Sequence, residues 1–424
     1  MWRNGDFLRL WSAQTISEFG SQITALALPL AAIVVLGASA FEVAALSTIE
    51  FAPYLLFSIP AGVWVDRLPH RPLLIMADLG RAVALASIPI AYAFDALTLS
   101  QLYVVGFLAG SLTVVFSLAY AAYLPGLVEH ERLVDANAKL QASSSVAQLG
   151  GPGTGGGLVA ATSAPVAIIT DALSFIASAL LLSSMRHREP RKSEAASPEP
   201  RESWRRELSR GARYALGNPY VRPILLASAL ANFGLNLIWA ILIFYAVRVL
   251  DLHAGLVGAI LSLGQAGGLL GALSATRISR AVGVGRSMIG AAALFGLSSL
   301  LIAAAPRSFP IPVLALGWGI GSFVIVIFNV LGVSLRQAIV PQRLQGRVLG
   351  FNRFFVLGVI PLGSLTGGAL AASIGLRPAI AVGAIVAGCA FVPLLASRVR
   401  TLDTLPAKVE EGRMAPETAS PVVP

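Results

Sequence analysis

Twelve apolar blocks, each about 20 residues or more, limit what this chain can fold into. A helix of that length crosses a hydrocarbon core of about 30 Å. A transmembrane β-barrel would instead need alternating strands of about 10 residues, and the sequence contains no such strands. The sequence therefore predicts an all-α polytopic membrane protein with twelve transmembrane helices.

The composition excludes the soluble class of proteins. Hydrophobic residues make up 56% of the 424-residue chain and charged residues 12%, whereas a soluble domain has about 25% charged residues. Cys389 is the single cysteine, so an intrachain disulfide is excluded, and its apolar surroundings favour a small buried side chain. The predicted spans are 10–36, 41–65, 73–94, 99–123, 138–161, 165–185, 224–250, 255–278, 287–305, 311–339, 348–374 and 379–397.

The distribution of positive charge predicts the orientation. With the N-terminus in the cytoplasm, 27 of the 31 Lys and Arg residues fall on the cytoplasmic side. Cytoplasmic loops of membrane proteins carry such an excess. We therefore expect a cell-membrane protein with both termini cytoplasmic. The net charge of +10 then faces an anionic inner leaflet, and no nucleic-acid partner is expected.

A polar gap between the sixth and seventh spans divides the chain into two halves. Part of this gap can form a short cationic amphipathic helix along the membrane surface, although a solvated linker is the alternative. The predicted units are a six-helix bundle over 1–186, a cytoplasmic linker over 187–222, a second six-helix bundle over 223–400 and a disordered tail over 401–424.

The two halves also repeat at a nearly constant offset, which predicts pseudo-symmetric bundles. Such bundles rock about a substrate site that lies between them near mid-membrane. The matched positions are Glu18-Phe19-Gly20 with Asn232-Phe233-Gly234, Pro152 with Pro361, and Gly156-Gly157 with Gly367-Gly368.

The loop after the second span carries Gly62, Asp66, Arg67 and Arg71 at a fixed spacing. In this pattern the chain resembles the major facilitator superfamily, although Pro69 replaces the family's glycine. The resemblance implies a gating loop that stabilises the outward-facing state, with arginines that pair with acids or lipid phosphates. A plain basic turn is the alternative reading.

The fifth span contains a glycine-rich run around Gly151, Pro152, Gly155 and Gly156. Proline kinks a helix, and glycines let a neighbouring helix approach closely. The run resembles the antiporter motif of the superfamily, which implies an exporter. Generic packing of small residues is the alternative.

Shorter matches resemble the macrolide-efflux-like branch of drug:proton antiporters. Two departures leave proton coupling open, because Ser21 stands where relatives carry an acid and the fourth span lacks an arginine. The matching segments are 17–21, 78–82, 132–137, 171–175 and 346–348.

Ionisable side chains within spans are costly and default to functional candidates. Glu18 and Glu50 are predicted near mid-depth, where they can exchange a proton or bind a cationic drug, and a structural role is the alternative. Asp78 and Arg81, three residues apart, are predicted to form a structural pair. Further pocket candidates, for which packing between helices is the alternative, are Asp171, Asn232, Asn236, Trp239 and Asn329.

No phosphate loop, zinc-ligand spacing or nucleophile elbow is present, so an enzyme, a cofactor and a metal site are not expected. The leading hypothesis is a monomeric secondary transporter that exports a small amphipathic or hydrophobic compound by proton antiport, with the substrate, protons and membrane lipids as partners. The alternatives are a proton-coupled nutrient importer and a non-transporting membrane scaffold or sensor.

Overall fold

The computed structural model describes residues 5–65, 68–129, 132–185, 204–404 and 406, and these residues are helical with short connections. A π-helical turn, Ala31–Val35, continues the first helix. The helices are α1 Gly5–Leu30, α2 Ala40–Val65, α3 His70–Ala93, α4 Leu99–Leu127, α5 Leu133–Ala161, α6 Ala164–Ser183, α7 Trp204–Gly217, α8 Val221–Arg248, α9 Ala254–Val282, α10 Val284–Ala303, α11 Pro310–Ile339, α12 Gln342–Ile374, α13 Leu376–Gly388 and α14 Phe391–Leu395.

Eleven helical segments within these ranges are long and apolar enough to cross a membrane. The helix α5 is equally long, with 29 residues, but it is rich in glycine, serine and glutamine and packs between α1 and α9. The predicted all-α polytopic membrane fold is confirmed. The last predicted span is divided, because the chain turns between α13 and α14 at Cys389 and Ala390.

The contacts between helices repeat from one half to the other. In the first half α1 packs on α5 and α6, α3 on α4 and α6, and α2 on α4. In the second half α8 packs on α12 and α13, α10 on α11 and α13, and α9 on α11. Each pair in the first list has its counterpart in the second, as two pseudo-symmetric bundles require.

Two aligned glycines, Gly20 and Gly234, lie at equivalent helix crossings. A Cβ atom on Gly20 would meet Ser174 and Asp171 of α6. A Cβ atom on Gly234 would meet Gly383 and the Ala387 backbone of α13. The first and sixth helices of each half therefore approach closely at the same place, which gives the predicted repeat a physical basis.

The halves meet through two equivalent helix pairs, α5 with α9 and α12 with α2. The carbonyl of Pro152 in α5 lies against Gly258 of α9, and the Gly153 N–H donates to Ser262 Oγ at 2.8 Å. In the other pair Thr48 Oγ of α2 donates to the Pro361 carbonyl of α12 at 3.4 Å. Each half thus presents a proline carbonyl to its partner half.

The glycines after each proline correct the predicted register of the repeat. Gly155 faces Ile23 of its own half, whereas Gly156 faces α9 of the other half. Gly367 and Gly368 divide in the same way, the first facing Leu237 of α8 and the second facing α2. Gly155-Gly156 is therefore the counterpart of Gly367-Gly368, so the predicted pairing with Gly156-Gly157 is wrong by one residue and the predicted pairing of Pro152 with Pro361 is wrong by three.

Among the described residues, buried apolar packing between the halves is concentrated at one end of the bundle. At the end where α5 finishes and α9 begins, a single buried apolar cluster contains residues from both halves. At the opposite end each half has its own cluster. We call these the closed end and the open end. At the closed end Arg248 of α8 also donates to the Ile33 carbonyl in the π-helical turn of the first half, at 2.7 Å.

The helix α7 packs against the second half at the open end. Ala215 is buried beside Val221, Val340 and Val348, and Tyr214 Oη donates to the Ile339 carbonyl at 3.4 Å. Cys389 was expected to be a small buried side chain, but it is exposed on the outer surface of the bundle. Its place in the turn between α13 and α14 explains this difference, because the turn leaves the side chain outside the packed core.

Substitution of Gly156 by valine is expected to separate the halves at the closed end. A Cβ atom on Gly156 would lie 2.6 Å from the Ala254 carbonyl and 3.0 Å from the Gly258 Cα. Overpacking of this kind costs about 1–3 kcal/mol, enough to change the population of the closed end several-fold. Spin labels at the exposed residues Thr162 and Asp251, in a C389S background, would report a longer distance.

Gly157→Val is the matched control, because the adjacent glycine has nothing within 4 Å of an added Cβ atom. The two variants change helix propensity equally. Equal distance distributions for both variants would contradict the packing argument.

Candidate functional site

A cavity of about 600 Å³ lies within the first half, between α1, α2, α3, α4 and α6. Three acids from three helices line it together with an arginine from a fourth, whereas most of the remaining wall is apolar or aromatic. A cavity of this size matches the usual volume of small-molecule sites. The charged residues that line it are Glu18, Glu50, Arg81 and Asp171.

Asp78 and Arg81 form a buried ion pair at the edge of this cavity, one turn apart on α3. Asp78 is fully buried, and its second carboxylate oxygen accepts a hydrogen bond from Ser178 Oγ of α6 at 2.6 Å. Arg81 Nη1 also lies 3.4 Å from Thr113 Oγ of α4. The pair therefore ties three helices of the first half together.

The Arg81 guanidinium lies between two aromatic rings. Its central carbon is 4.5 Å from the centroid of Phe116 and 4.1 Å from that of Phe175. A planar guanidinium stacks well on aromatic faces, and the attraction is strongest where water is excluded. Arg81 is 5% exposed, so its position is set by one carboxylate and two rings rather than by solvent.

Glu50 of α2 and Asp171 of α6 both line the cavity. Asp171 of α6 is 1% exposed and accepts a hydrogen bond from Ser174 Oγ at 3.1 Å. Gly20 of α1 makes room for this carboxyl, because a Cβ atom there would collide with it. In the second half Gly383 faces the equivalent glycine, so the acid is present in one half only.

Glu18 lies towards the open end of the cavity. It also lines a neighbouring space of about 560 Å³ with Gln14, Tyr120 and Gln141. Ser144 Oγ of α5 donates to the Glu18 carboxylate at 3.4 Å. The buried Gln14 Oε1 and Tyr120 Oη have no hydrogen-bond partner among the described residues, so both can bind a solute or water that enters.

The cavity carries more acid than base. The Asp78–Arg81 pair is neutral as a unit, and among the described residues no salt bridge joins a cation to the carboxyl groups of Glu18, Glu50 and Asp171. An isolated carboxylate is costly to desolvate, so such groups take up a proton or pair with a cation.

The glycine-rich run of α5 divides between two neighbours. Gly151 faces Gln22 of α1, and Gly155 faces Ile23. Pro152 and Gly156 instead face α9 of the other half. The run predicted as an antiporter motif thus lets one helix approach both its own bundle and the partner bundle.

The predicted gating motif is described only in part, because Asp66 and Arg67 lie outside the described residues. Gly62 is part of α2. Arg71 lies in the first turn of α3, and its guanidinium donates to the carbonyls of Leu182, at 3.0 Å, and Ser183. Here the arginine satisfies terminal carbonyls of α6, which is a favourable position for a cation at a helix C-terminus.

The pocket candidates of the second half lie apart from the acidic cavity. Asn232 and Asn236 donate to backbone carbonyls of their own helix, each at 2.8 Å. Trp239 stacks on Trp318 with ring centroids 5.2 Å apart. Asn329 is exposed and lies three turns from Trp318 on the same face of α11. Asp171 is the one predicted pocket residue that joins Glu18 and Glu50.

Three residues that make important contacts were not predicted from the sequence. One binds the Asp78–Arg81 pair, and two join the halves. Ser178 follows Asp171 by seven residues on α6, so the two share a helix face. This spacing could have indicated that Ser178 also faces the interior of the first half. Ser262 and Arg248, which contact the other half, offered no such signal. Among the described residues no group of three or more His, Cys, Asp or Glu side chains is arranged to hold a metal ion.

Comparison with known families decides the class of protein. The profile of a family described as transmembrane secretion effector, of the major facilitator superfamily, matches residues 2–422. This chain belongs to that family. As a major facilitator protein it is a multi-pass membrane transporter for a small-molecule substrate and not an enzyme.

Relatives within the superfamily support the same conclusion. The multidrug efflux pump Tap of Mycolicibacterium fortuitum is 26% identical over 386 residues, which cover 88% of this chain and 91% of the pump. A bacterial homologue of the iron transporter ferroportin shares the fold in its inward-facing state, with a TM-score of 0.72 and 17% identity over 92% of this chain and 98% of the homologue. Its outward-facing state, at 16% identity and with the same coverage of both chains, gives a TM-score of 0.59.

Removal of the Asp78 carboxylate is expected to destabilise this transporter strongly. Asp78→Asn would leave the Arg81 guanidinium buried without its counter-charge, a change that costs about 3–5 kcal/mol. Thermal unfolding of the purified protein in detergent would show a lower midpoint. The double variant D78L/R81M, which removes both charges, should recover part of the loss.

Asp135→Asn is the control for this experiment. Asp135 pairs with Lys139 at 2.6 Å on α5 with its side chain 55% exposed, and an exposed pair contributes about 0–1 kcal/mol. A midpoint that falls equally in the two single variants would show that burial does not determine the role of the Asp78–Arg81 pair.

Proposed function

We propose that this chain is a secondary transporter that exports a small amphipathic or hydrophobic compound in exchange for protons. The observation that carries the proposal is the acidic cavity of the first half. Glu18, Glu50 and Asp171 converge there from three helices, and no counterpart of Asp171 faces Gly234 in the second half. Acids kept at such a cost inside a membrane mark ion or substrate pathways.

In this proposal Glu50 and Asp171 share the proton-binding role. Each is held in the cavity wall by a close helix contact, at Gly110 for Glu50 and at Gly20 for Asp171. Two carboxyls that line one cavity, in which the arginine is already paired with Asp78, favour a state in which at least one is protonated. Glu18, nearer the open end, would pass protons or receive a cationic substrate.

The substrate would lie in the cleft between the halves, which is open at one end. Aromatic and amide groups of the second half, Trp239, Trp318 and Asn329, supply surface for an amphipathic molecule on the other side of that cleft. The relationship to the multidrug efflux pump Tap supports a drug or related metabolite as substrate and export as direction.

Alternating access would follow from separation of the closed end. The small-residue contacts between α5 and α9 and between α12 and α2 are the surfaces that must part. We assign the open end to the cytoplasm, because the Lys and Arg excess then lies inside together with both termini. The higher TM-score against the inward-facing ferroportin homologue than against its outward-facing state supports this assignment.

The proposed moving units are residues 1–186 and 223–400, joined by a linker over 187–222, with a tail over 401–424. The contacts of α7 are with α8 and α12, so α7 would move with the second unit. The loop containing Gly62, Asp66, Arg67 and Arg71 would stabilise the outward-facing state. Each half encloses its own core at the open end, which supports a monomer as the transporting unit.

Loss of the Glu50 carboxylate is expected to uncouple transport from protons. In inverted membrane vesicles, the wild-type protein should accumulate a labelled macrolide or a cationic dye when a proton gradient is imposed. E50Q, D171N and the double variant should lose gradient-driven accumulation by about tenfold or more while retaining downhill equilibration of the same probe. Both rates would be measured with and without an uncoupler.

Glu42→Gln is the matched control on the same helix. Glu42 accepts hydrogen bonds from Ser39 at the start of α2, at 2.7 and 2.8 Å, and does not line the cavity. Gradient-driven accumulation that survives in the double variant with unchanged pH dependence would refute the proton role. Probe accumulation in the vesicles on acidification of their exterior would instead support import by symport, and no probe movement in the wild type would favour a non-transporting scaffold or sensor.

A further inference from the structure

A second pocket, lined by both charged and apolar residues, lies on the outer surface of the second half. It has a volume of about 630 Å³ and is formed where α10 begins and the chain leaves α14. We propose that this pocket binds the headgroup of an anionic phospholipid, with the phosphate between Arg286 and Arg400. The residues that line it are Arg286, Ile289, Gly290, Leu395, Arg400, Thr401 and Asp403.

The pocket is fixed by the chain that follows α14. A short 3₁₀ turn, Arg398–Thr401, folds back onto the start of α10. The Gly285 N–H donates to the Leu402 carbonyl at 2.8 Å, and the Val284 N–H donates to the Asp403 carbonyl at 3.2 Å. These two bonds join segments more than 100 residues apart. They hold Arg400 beside Arg286 in a defined position.

Gly285 makes this arrangement possible. A Cβ atom there would collide with the Val399 carbonyl, so any other residue would push the 3₁₀ turn away from α10. Val399 itself is fully buried. The two arginines therefore belong to a packed junction and not to a free loop, although both of their side chains are exposed.

An apolar surface continues from the pocket along α10. Gly290, Leu294 and Leu297 follow Arg286 at intervals of four, four and three residues, so all lie on one face of the helix. Leu294 is 42% exposed and Leu297 is 60% exposed, and Gly290 has open space where a side chain would be. On the neighbouring helix Leu395 is 46% exposed. The pocket thus joins a groove that an acyl chain can occupy.

The charge of the pocket matches a phospholipid with one phosphate diester. Two arginines and Asp403 give a net charge of +1, and a phosphatidylglycerol headgroup carries one negative charge. Its glycerol hydroxyls could donate to the Asp403 carboxylate while the guanidinium groups donate to the phosphate. A soluble phosphate has no acyl chain to occupy the groove that begins at Gly290. We therefore assign the pocket to a lipid.

Lipid retention by the full-length protein tests this proposal. The protein would be reconstituted in nanodiscs of phosphatidylcholine with a minor fraction of phosphatidylglycerol, extracted into detergent, and its co-purifying lipids measured by mass spectrometry. We expect the wild type to retain phosphatidylglycerol in excess over its share of the bilayer. R286Q/R400Q should lower this enrichment at least about five-fold.

R277Q/R280Q is the matched control, because it removes the same charge from the exposed end of α9 without touching the pocket. Gly290→Leu keeps both arginines but fills the groove, and it should also abolish the enrichment. This second variant decides the matter if R286Q/R400Q does not fold. Equal losses in R277Q/R280Q, displacement of the lipid by inorganic phosphate, or preferential retention of phosphatidylcholine would each overturn the proposal.

Discussion

The contact on which the rest of this structure depends is the approach of two helix backbones at the closed end. Pro152 and Gly156 of α5 lie directly against Gly258 of α9, without side chains between them. In a bilayer the hydrophobic effect does not drive helices together, so close van der Waals packing of small residues has to do so. A similar close contact occurs in the other helix pair, where Pro361 and Gly368 of α12 lie against α2. Two such seams, related by the internal symmetry, define how the halves meet.

Within this symmetric frame the chemistry is asymmetric. The first half has a cavity with three acids and a buried Asp78–Arg81 pair, whereas the equivalent crossing of the second half is filled by glycine and alanine. Arg81 makes this possible, because its guanidinium is held between Phe116 and Phe175 and neutralises one acid without reaching the others as a salt bridge. A bundle with buried acids and a bundle whose equivalent crossing has none are thus combined in one fold.

Much of the fold could be predicted from the sequence, because bilayer thickness sets span length and because glycine and proline mark close helix contacts. Three acids could be singled out, because a charged side chain within a membrane is costly in free energy. They are Glu18, Glu50 and Asp171. Their convergence could not be predicted, since it depends on the rotation of α1, α2 and α6 about their axes. The register within the run from Gly155 to Gly157 failed for a similar reason. Three identical residues look alike in a sequence, and helix rotation decides which one meets a neighbour.

The hydrogen bond from Arg248 to the Ile33 carbonyl has a consequence for how the closed end opens. A π-helical turn at the end of α1 presents a main-chain carbonyl, and the arginine of the other half takes it in place of a carboxylate. The bond joins a guanidinium to a main-chain carbonyl and involves no carboxyl group. This contact at the closed end is therefore separate from the carboxyl groups of the first half. If those carboxyl groups exchange protons, as we propose, they would act on the closed end only by shifting helices, and the coupling would be mechanical.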